Sequence, residues 1–122
     1  MKRCLIVDDS SVIRKIAKRI LASSDMHVIE AADGHEALAH CAADLPDIIV
    51  VDYGLPDIDT IELIRRIAAM PAPKRPQILI CAIEFDVGLI MRAKRAGAQG
   101  YILKPFDRNQ LLASFREMSA AA

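Results

Sequence analysis

The sequence is poor in aromatic residues and has no tryptophan. It contains three Phe and two Tyr among 122 residues, and its formal net charge is zero. A nucleic-acid-binding domain concentrates Lys and Arg on one face, often together with aromatic side chains. The composition therefore excludes nucleic acid as the expected partner.

Cysteine is also scarce, and long apolar runs are absent. Cys4, Cys41 and Cys81 are odd in number, scattered and set in apolar stretches, which predicts reduced core thiols in a cytosolic protein rather than a disulfide framework. No run reaches the roughly 18 apolar residues of a membrane span. The apolar run near the start stops at Asp8, which is too short for an export signal, so we expect a cytoplasmic protein.

Short apolar runs recur along the chain and alternate with amphipathic segments. Their unbroken hydrophobicity is typical of strands buried on both faces of a parallel sheet. The predicted strands are 4–7, 48–51, 78–81 and 101–103, with a weaker edge strand at 27–30. The predicted helices are one with an apolar face of Ile13, Ile16, Ala17, Ile20 and Leu21, then 34–43, 60–69, 86–96 and 107–118. Met91, within the fourth of these helices, is predicted to fill the core. Five strand–helix units predict an open, doubly wound α/β sheet of one domain.

Charged side chains follow the predicted strands where they end. Asp8 and Asp9 follow the first strand, Asp52 follows the third and Lys104 follows the fifth, while Ala82 closes the fourth. Parallel strands bring their carboxyl ends to one edge, so we expect these residues to lie together. Three converging carboxylates raise a pKa unless a cation neutralises them, and Mg²⁺ prefers such oxygen ligands. A lysine at the same edge suits an anion that arrives with the metal.

Three motifs at these strand ends resemble the signature of response-regulator receivers. They are Asp8-Asp9, DYGLPD at 52–57 and GYILKPF at 100–106. The resemblance covers the whole chain in order and spacing, and it is strongest to stand-alone receivers of the CheY type. It implies a flavodoxin-like (βα)5 fold with five parallel strands in the order 2-1-3-4-5. It also implies a single receiver domain over residues 1–122 with no output domain.

The resemblance implies a role for each residue at this edge. Asp52 would accept a phosphoryl group from a phosphohistidine of a histidine kinase or histidine phosphotransferase. Asp9, Asp52 and the main-chain carbonyl of Gly54 would ligate Mg²⁺. Asp8 would help through water, and Lys104 would hold a phosphoryl oxygen. By the same resemblance, the protein would be a monomer that catalyses at most its own phosphorylation and dephosphorylation, and therefore not a classical enzyme. It would signal to a downstream protein target in a two-component phosphorelay.

The sequence departs from the receiver pattern at two positions. Ala82 stands where receivers carry the Thr or Ser whose hydroxyl binds the phosphoryl group, although Tyr101 keeps the switch aromatic. One hydrogen bond to a charged group is worth about 1.5–3 kcal/mol. Shifting a two-state equilibrium from 1:99 to 99:1 needs about 5.5 kcal/mol of differential binding, so we expect the loss of this hydroxyl to weaken the conformational response. Thr60 replaces a usual Gly, which predicts a different turn because Thr disfavours positive φ. By resemblance, Lys104-Pro105 is expected to be cis.

Basic residues on the first helix have two interpretations. They form either a solvated face or, by resemblance to receivers, the surface that docks the four-helix bundle of a phosphodonor. They are Arg14, Lys15, Lys18 and Arg19. A second basic group on the fourth helix, near the expected output face, is open to the same two interpretations. It consists of Arg92, Lys94 and Arg95.

Two other functions compete with the receiver. A phosphorylation-independent adaptor is favoured by Ala82 and disfavoured by the retained Asp and Lys residues. A magnesium phosphohydrolase of the haloacid-dehalogenase type also uses an aspartyl nucleophile after a parallel strand. That family needs a second Asp two residues later as general acid, where this chain has Gly54, and it usually carries a cap domain.

Overall fold

The computed structural model describes residues 1–121, which form one five-stranded parallel sheet flanked by five helices. The strands are β1 (Lys2–Val7), β2 (Met26–Ala31), β3 (Ile48–Asp52), β4 (Gln77–Ala82) and β5 (Gly100–Leu103). The helices are α1 (Ser11–Leu21), α2 (Gly34–Ala43), α3 (Thr60–Ala68), α4 (Val87–Ala96) and α5 (Arg108–Ala121). The sheet order is β2-β1-β3-β4-β5, so the predicted α/β fold and strand order are confirmed.

The central strands are apolar on both faces because helices cover both sides of the sheet. Alternate residues of β1 enter opposite core clusters: Leu5 packs with α3 residues such as Ile64, and Cys4 packs with Leu111 of α5. All three cysteines are free and buried, as predicted. Burial raises the pKa of the Cys41 thiol to about 11 and that of Cys81 to about 12, so both stay protonated at neutral pH.

Helices α1 to α4 each begin after a side chain that caps their first turn. Ser10, Asp33, Asp59 and Asp86 accept hydrogen bonds from backbone N–H groups three residues later. Such a cap is worth about 1 kcal/mol. These caps fix where each loop at the carboxyl edge of the sheet turns into its helix. Within the described residues, no helix has the length and apolarity needed to cross a membrane.

Two predicted core residues are exposed instead. Ile16 is 42% exposed because it lies about 100° around the helix from buried Ala17. Met91 is 49% exposed because it lies two residues from both buried Leu89 and buried Ala93 on α4, which turns it away from the sheet. The apolar pattern was therefore broader than the contact face of either helix.

Candidate functional site

The carboxyl ends of β1 and β3 bring three aspartates together at one edge of the sheet. Asp8, Asp9 and Asp52 each offer a carboxylate oxygen, and these oxygens lie within 4.8 Å of one another. Asp8 and Asp52 are buried, whereas Asp9 is exposed. Two buried carboxylates this close need a cation.

Lys104 supplies a cation from the end of β5. Its Nζ lies 2.5 Å from Asp8 Oδ2 and 2.7 Å from Asp52 Oδ1, and its side chain is 18% exposed. Desolvation would lower the pKa of Lys104, but hydrogen bonds to Asp52 and Asp8 outweigh it and hold the pKa above its ordinary value. The Lys104-Pro105 bond that leads away from the site is cis, as predicted.

Asp8 is held by contacts from the β1–α1 loop, from α1 and from the residue after β5. The Ser10 N–H donates to Asp8 Oδ1 at 2.9 Å, while Asp8 Oδ2 accepts from Lys104. Arg14 Nη1 donates to the Asp8 carbonyl at 2.7 Å. Both carboxylate oxygens of Asp8 are thus engaged within the protein, whereas Asp9 is exposed.

The β3–α3 loop is held by Thr60, the first residue of α3. Thr60 Oγ1 lies 2.9 Å from the Asp52 carbonyl and 2.7 Å from the Tyr53 carbonyl, and the residue is 1% exposed. Among residues 1–121, no non-glycine residue has a positive φ, so the turn does not need glycine at this position. Because the hydroxyl proton serves these carbonyls, it does not replace the hydroxyl missing at Ala82.

A cavity of about 510 Å³ opens beside Asp52. Ala82 contributes only a methyl group to its wall and is 6% exposed. The remaining lining residues are Asp9, Asp52, Tyr53, Gly54, Ile83, Glu84, Asp86, Leu89 and Lys104. Ala82 therefore lies at the site, as its strand position predicts, and offers no side-chain donor there.

Tyr101 lies on β5 with its ring partly exposed, at 37%. Its ring centroid is 5.7 Å from that of Phe85, with an angle of 60° between the ring planes. Phe85 was not recognised as a neighbour of Tyr101 from the sequence alone, although an aromatic residue three positions after Ala82 is conspicuous in a chain with few aromatics. Other large apolar side chains are exposed on the same segments: Ile83, Val87, Met91 and Leu103.

Glu30 forms ion pairs with three of the four basic residues on α1, and these pairs could not be predicted from the sequence. Its carboxylate lies 2.8 Å from Lys15, 3.1 Å from Arg14 and 3.8 Å from Lys18. The hydrogen bond from Lys15 is the largest influence, and together with Arg14 it holds the pKa of Glu30 below its ordinary value despite desolvation. The Arg14 side chain is only 15% exposed, so Arg14 is a largely buried ion-pair residue rather than part of a solvated face. Arg19 is exposed.

Asp57 ties the β3–α3 loop to the start of α2. Its carboxylate accepts hydrogen bonds from the N–H groups of Gly34 and His35, each at 2.9 Å, and lies 2.5 Å from Nδ1 of His35. Although desolvation would raise the pKa of Asp57, these hydrogen bonds lower it to about 2. His35 is therefore a surface residue with a structural contact.

Comparisons with known proteins agree with this geometry. The model of the response regulator receiver domain family matches residues 4–116. The chemotaxis protein CheY of Listeria monocytogenes is 33% identical over 114 residues, which cover 92% of this chain and 93% of the relative. CheY of Thermotoga maritima is 30% identical over 97% of this chain and 98% of its own. The structure of Vibrio cholerae CheY4 is 30% identical, with a TM-score of 0.89 over 97% of this chain and 98% of that one.

Proposed function

The chain belongs to the response regulator receiver domain family, and from that premise we propose that it accepts a phosphoryl group on Asp52 from a phosphohistidine. It is a CheY-like protein of two-component signalling and not a classical enzyme. The observation that carries the proposal is the contact of Lys104 with Asp8 and Asp52, beside exposed Asp9. We further propose that residues 1–122 act as one receiver domain.

The donor set fits Mg²⁺. Carboxylate oxygens within 4.8 Å of one another are the hard ligands that this cation prefers. Asp9 and Asp52, with the Gly54 carbonyl, would hold the ion, and Asp8, which is only 2% exposed, would act through water. When bound, magnesium would neutralise charge on the phosphoryl oxygens.

Asp52 would act as the nucleophile of the transfer. A carboxylate oxygen forms the new P–O bond while the P–N bond to the donor histidine breaks, and the imidazole leaves with that electron pair and takes up a proton. Lys104, which lies 2.7 Å from Asp52 Oδ1, would then hold a phosphoryl oxygen. Catalysis by these residues is positioning and charge neutralisation.

Intact mass spectrometry tests the proposal on the unmodified chain. We expect one added phosphoryl group after incubation with acetyl phosphate or a phosphorylated histidine phosphotransferase in Mg²⁺, and none when EDTA replaces the metal. Peptide mapping should place the group on Asp52. No addition from any donor would support the adaptor function instead. Steady release of phosphate from a phosphomonoester would support the phosphohydrolase.

Ala82→Thr is expected to enlarge the conformational response to phosphorylation. The new hydroxyl would face the cavity beside Asp52 and could donate to a phosphoryl oxygen, which shifts the two-state equilibrium by roughly 10- to 150-fold. Amide NMR spectra with beryllofluoride and Mg²⁺ measure the response over residues 82–106. We expect small shifts in the unmodified protein and larger ones in Ala82→Thr. Ala82→Val, of similar size but without a donor, is the control, and equal responses in Val and Thr would contradict the prediction.

Phosphodonor docking is proposed for the exposed cations of α1. Lys18 and Arg19 are exposed, so reversing both charges (Lys18→Glu with Arg19→Glu) should slow phosphotransfer from a histidine phosphotransferase about 10-fold at low salt by removing electrostatic steering. The rate with acetyl phosphate should not change, because a small donor needs no docking face. Lys94→Glu on α4 is the matched control. A similar loss with both donors would assign these residues to the site rather than to docking.

A further inference from the structure

We propose that Thr60 is a positioning residue that orients the two peptide groups preceding Gly54 and through them limits where the proposed metal-ligating carbonyl of Gly54 lies. The inference rests on the proposed function and deepens it. Thr60 is the only threonine in the chain, and it stands where the receiver pattern expects glycine. Its hydroxyl is buried and reaches back to residues seven and eight positions earlier.

Two consecutive peptide groups are held by this one side chain. The first joins Asp52 to Tyr53: its carbonyl lies 2.9 Å from Thr60 Oγ1, and its N–H donates to the Cys81 carbonyl at 2.8 Å. The second joins Tyr53 to Gly54: its carbonyl lies 2.7 Å from Thr60 Oγ1, and its N–H donates to Asp52 Oδ2 at 3.2 Å.

Because the peptide bond is planar, these contacts fix the orientation of both peptide groups. Because a peptide group is rigid, holding the Tyr53 carbonyl also sets the direction of the Gly54 N–H, and with it one oxygen of Asp52. The next rotatable bonds belong to Gly54, which lacks a side chain to restrict them. Thr60 therefore fixes the peptide group from which the Gly54 carbonyl extends, so that only the two backbone torsion angles of Gly54 remain to move that carbonyl.

The test uses Thr60→Val, which keeps the shape of the side chain and removes the hydroxyl. We expect the Kd for Mg²⁺, measured by NMR titration with MgCl₂ alone, to rise at least 5-fold. Amide hydrogen exchange at Gly54 in EDTA should become at least 10-fold faster. Thr60→Ser, which restores the donor, should keep both values within about 2-fold of the unmodified protein. Thr60→Ala serves as a second variant without the hydroxyl if Thr60→Val does not fold.

Ile67→Val is the stability control, because Ile67 is buried on the same helix and 1% exposed. It should lower the melting temperature without changing Mg²⁺ affinity or exchange at Gly54. A folded Thr60→Val or Thr60→Ala protein with unchanged affinity and exchange would overturn the inference. Metal binding without phosphorylation of the unmodified protein would refute the proposed function alone. No Mg²⁺ binding by the unmodified protein would refute both.

Discussion

Asp52→Asn is expected to take up no phosphoryl group from acetyl phosphate or from a phosphorylated histidine phosphotransferase. An amide oxygen is a poor nucleophile, so the acyl phosphate does not form. The variant should still fold, because the Asn oxygen can accept the Gly54 N–H that Asp52 accepts now, and Lys104 keeps its ion pair with Asp8. Intact mass and circular dichroism measure the two outcomes separately.

A matched variant, Asp9→Asn, distinguishes the loss of the phosphoryl acceptor from the loss of a metal ligand. Asp9→Asn keeps Asp52 as nucleophile but removes one charged ligand, so we expect phosphorylation to persist and to need more Mg²⁺. Asp52→Ala should behave as Asp52→Asn does. If Asp52→Asn gained one phosphoryl group at the normal rate, another residue would be the acceptor and the proposed function would be wrong.

Lys104→Met is expected to reduce the free energy of unfolding of the metal-free protein by about 3–5 kcal/mol, the usual cost of removing one partner from a buried ion pair. Asp8 and Asp52 would remain buried without a neighbouring ammonium, since their side chains are 3% and 12% exposed. Mg²⁺ should stabilise this variant more than the unmodified protein, because the metal would restore the missing positive charge.

Urea unfolding at pH 7 in EDTA and in Mg²⁺ measures both effects. The raised pKa of Lys104 means that its contribution is complete below its ordinary value of 10.5 and is lost as pH rises through the higher folded value. The difference between variant and unmodified protein should therefore persist from pH 7 to 9 and shrink at higher pH. Lys94→Met, at an exposed position on α4, should change stability by less than about 0.5 kcal/mol. Equal losses of unfolding free energy in Lys104→Met and Lys94→Met would contradict the role of Lys104 in neutralising the buried carboxylates.

Much of the fold could be predicted because its signals are local. An unbroken apolar run such as that of β3 identifies a strand covered on both faces, and strict alternation with helices leaves few topologies. Asp8, Asp9 and Asp52 could be brought together from sequence because parallel strands share one carboxyl edge. The same rule places Lys104 at this edge, but its direct contacts with Asp8 and Asp52 were not predicted.

The contacts that were missed depend on side-chain reach across elements. Nothing in the pattern of α1 shows that Glu30 on β2 collects its cations, because the pair is formed by tertiary packing. The hydroxyl of Thr60 could have faced the cavity or the backbone, and the choice depends on the path of the β3–α3 loop. Ile16 was placed in the core because periodicity reports an apolar stripe and not the width of the surface that covers it. Met91 was placed there from its residue type alone.

The edge-to-face contact between Phe85 and Tyr101 favours one orientation of the Tyr101 ring in the resting protein. An edge-to-face aromatic pair is worth about 0.5–1.5 kcal/mol, so leaving this contact lowers the population of an inward-turned Tyr101 by roughly 2- to 13-fold. In ordinary receivers a hydroxyl on β4 would oppose that preference after phosphorylation. With Ala82 in its place that opposing hydroxyl is missing, so we expect the outward ring to stay the more populated state.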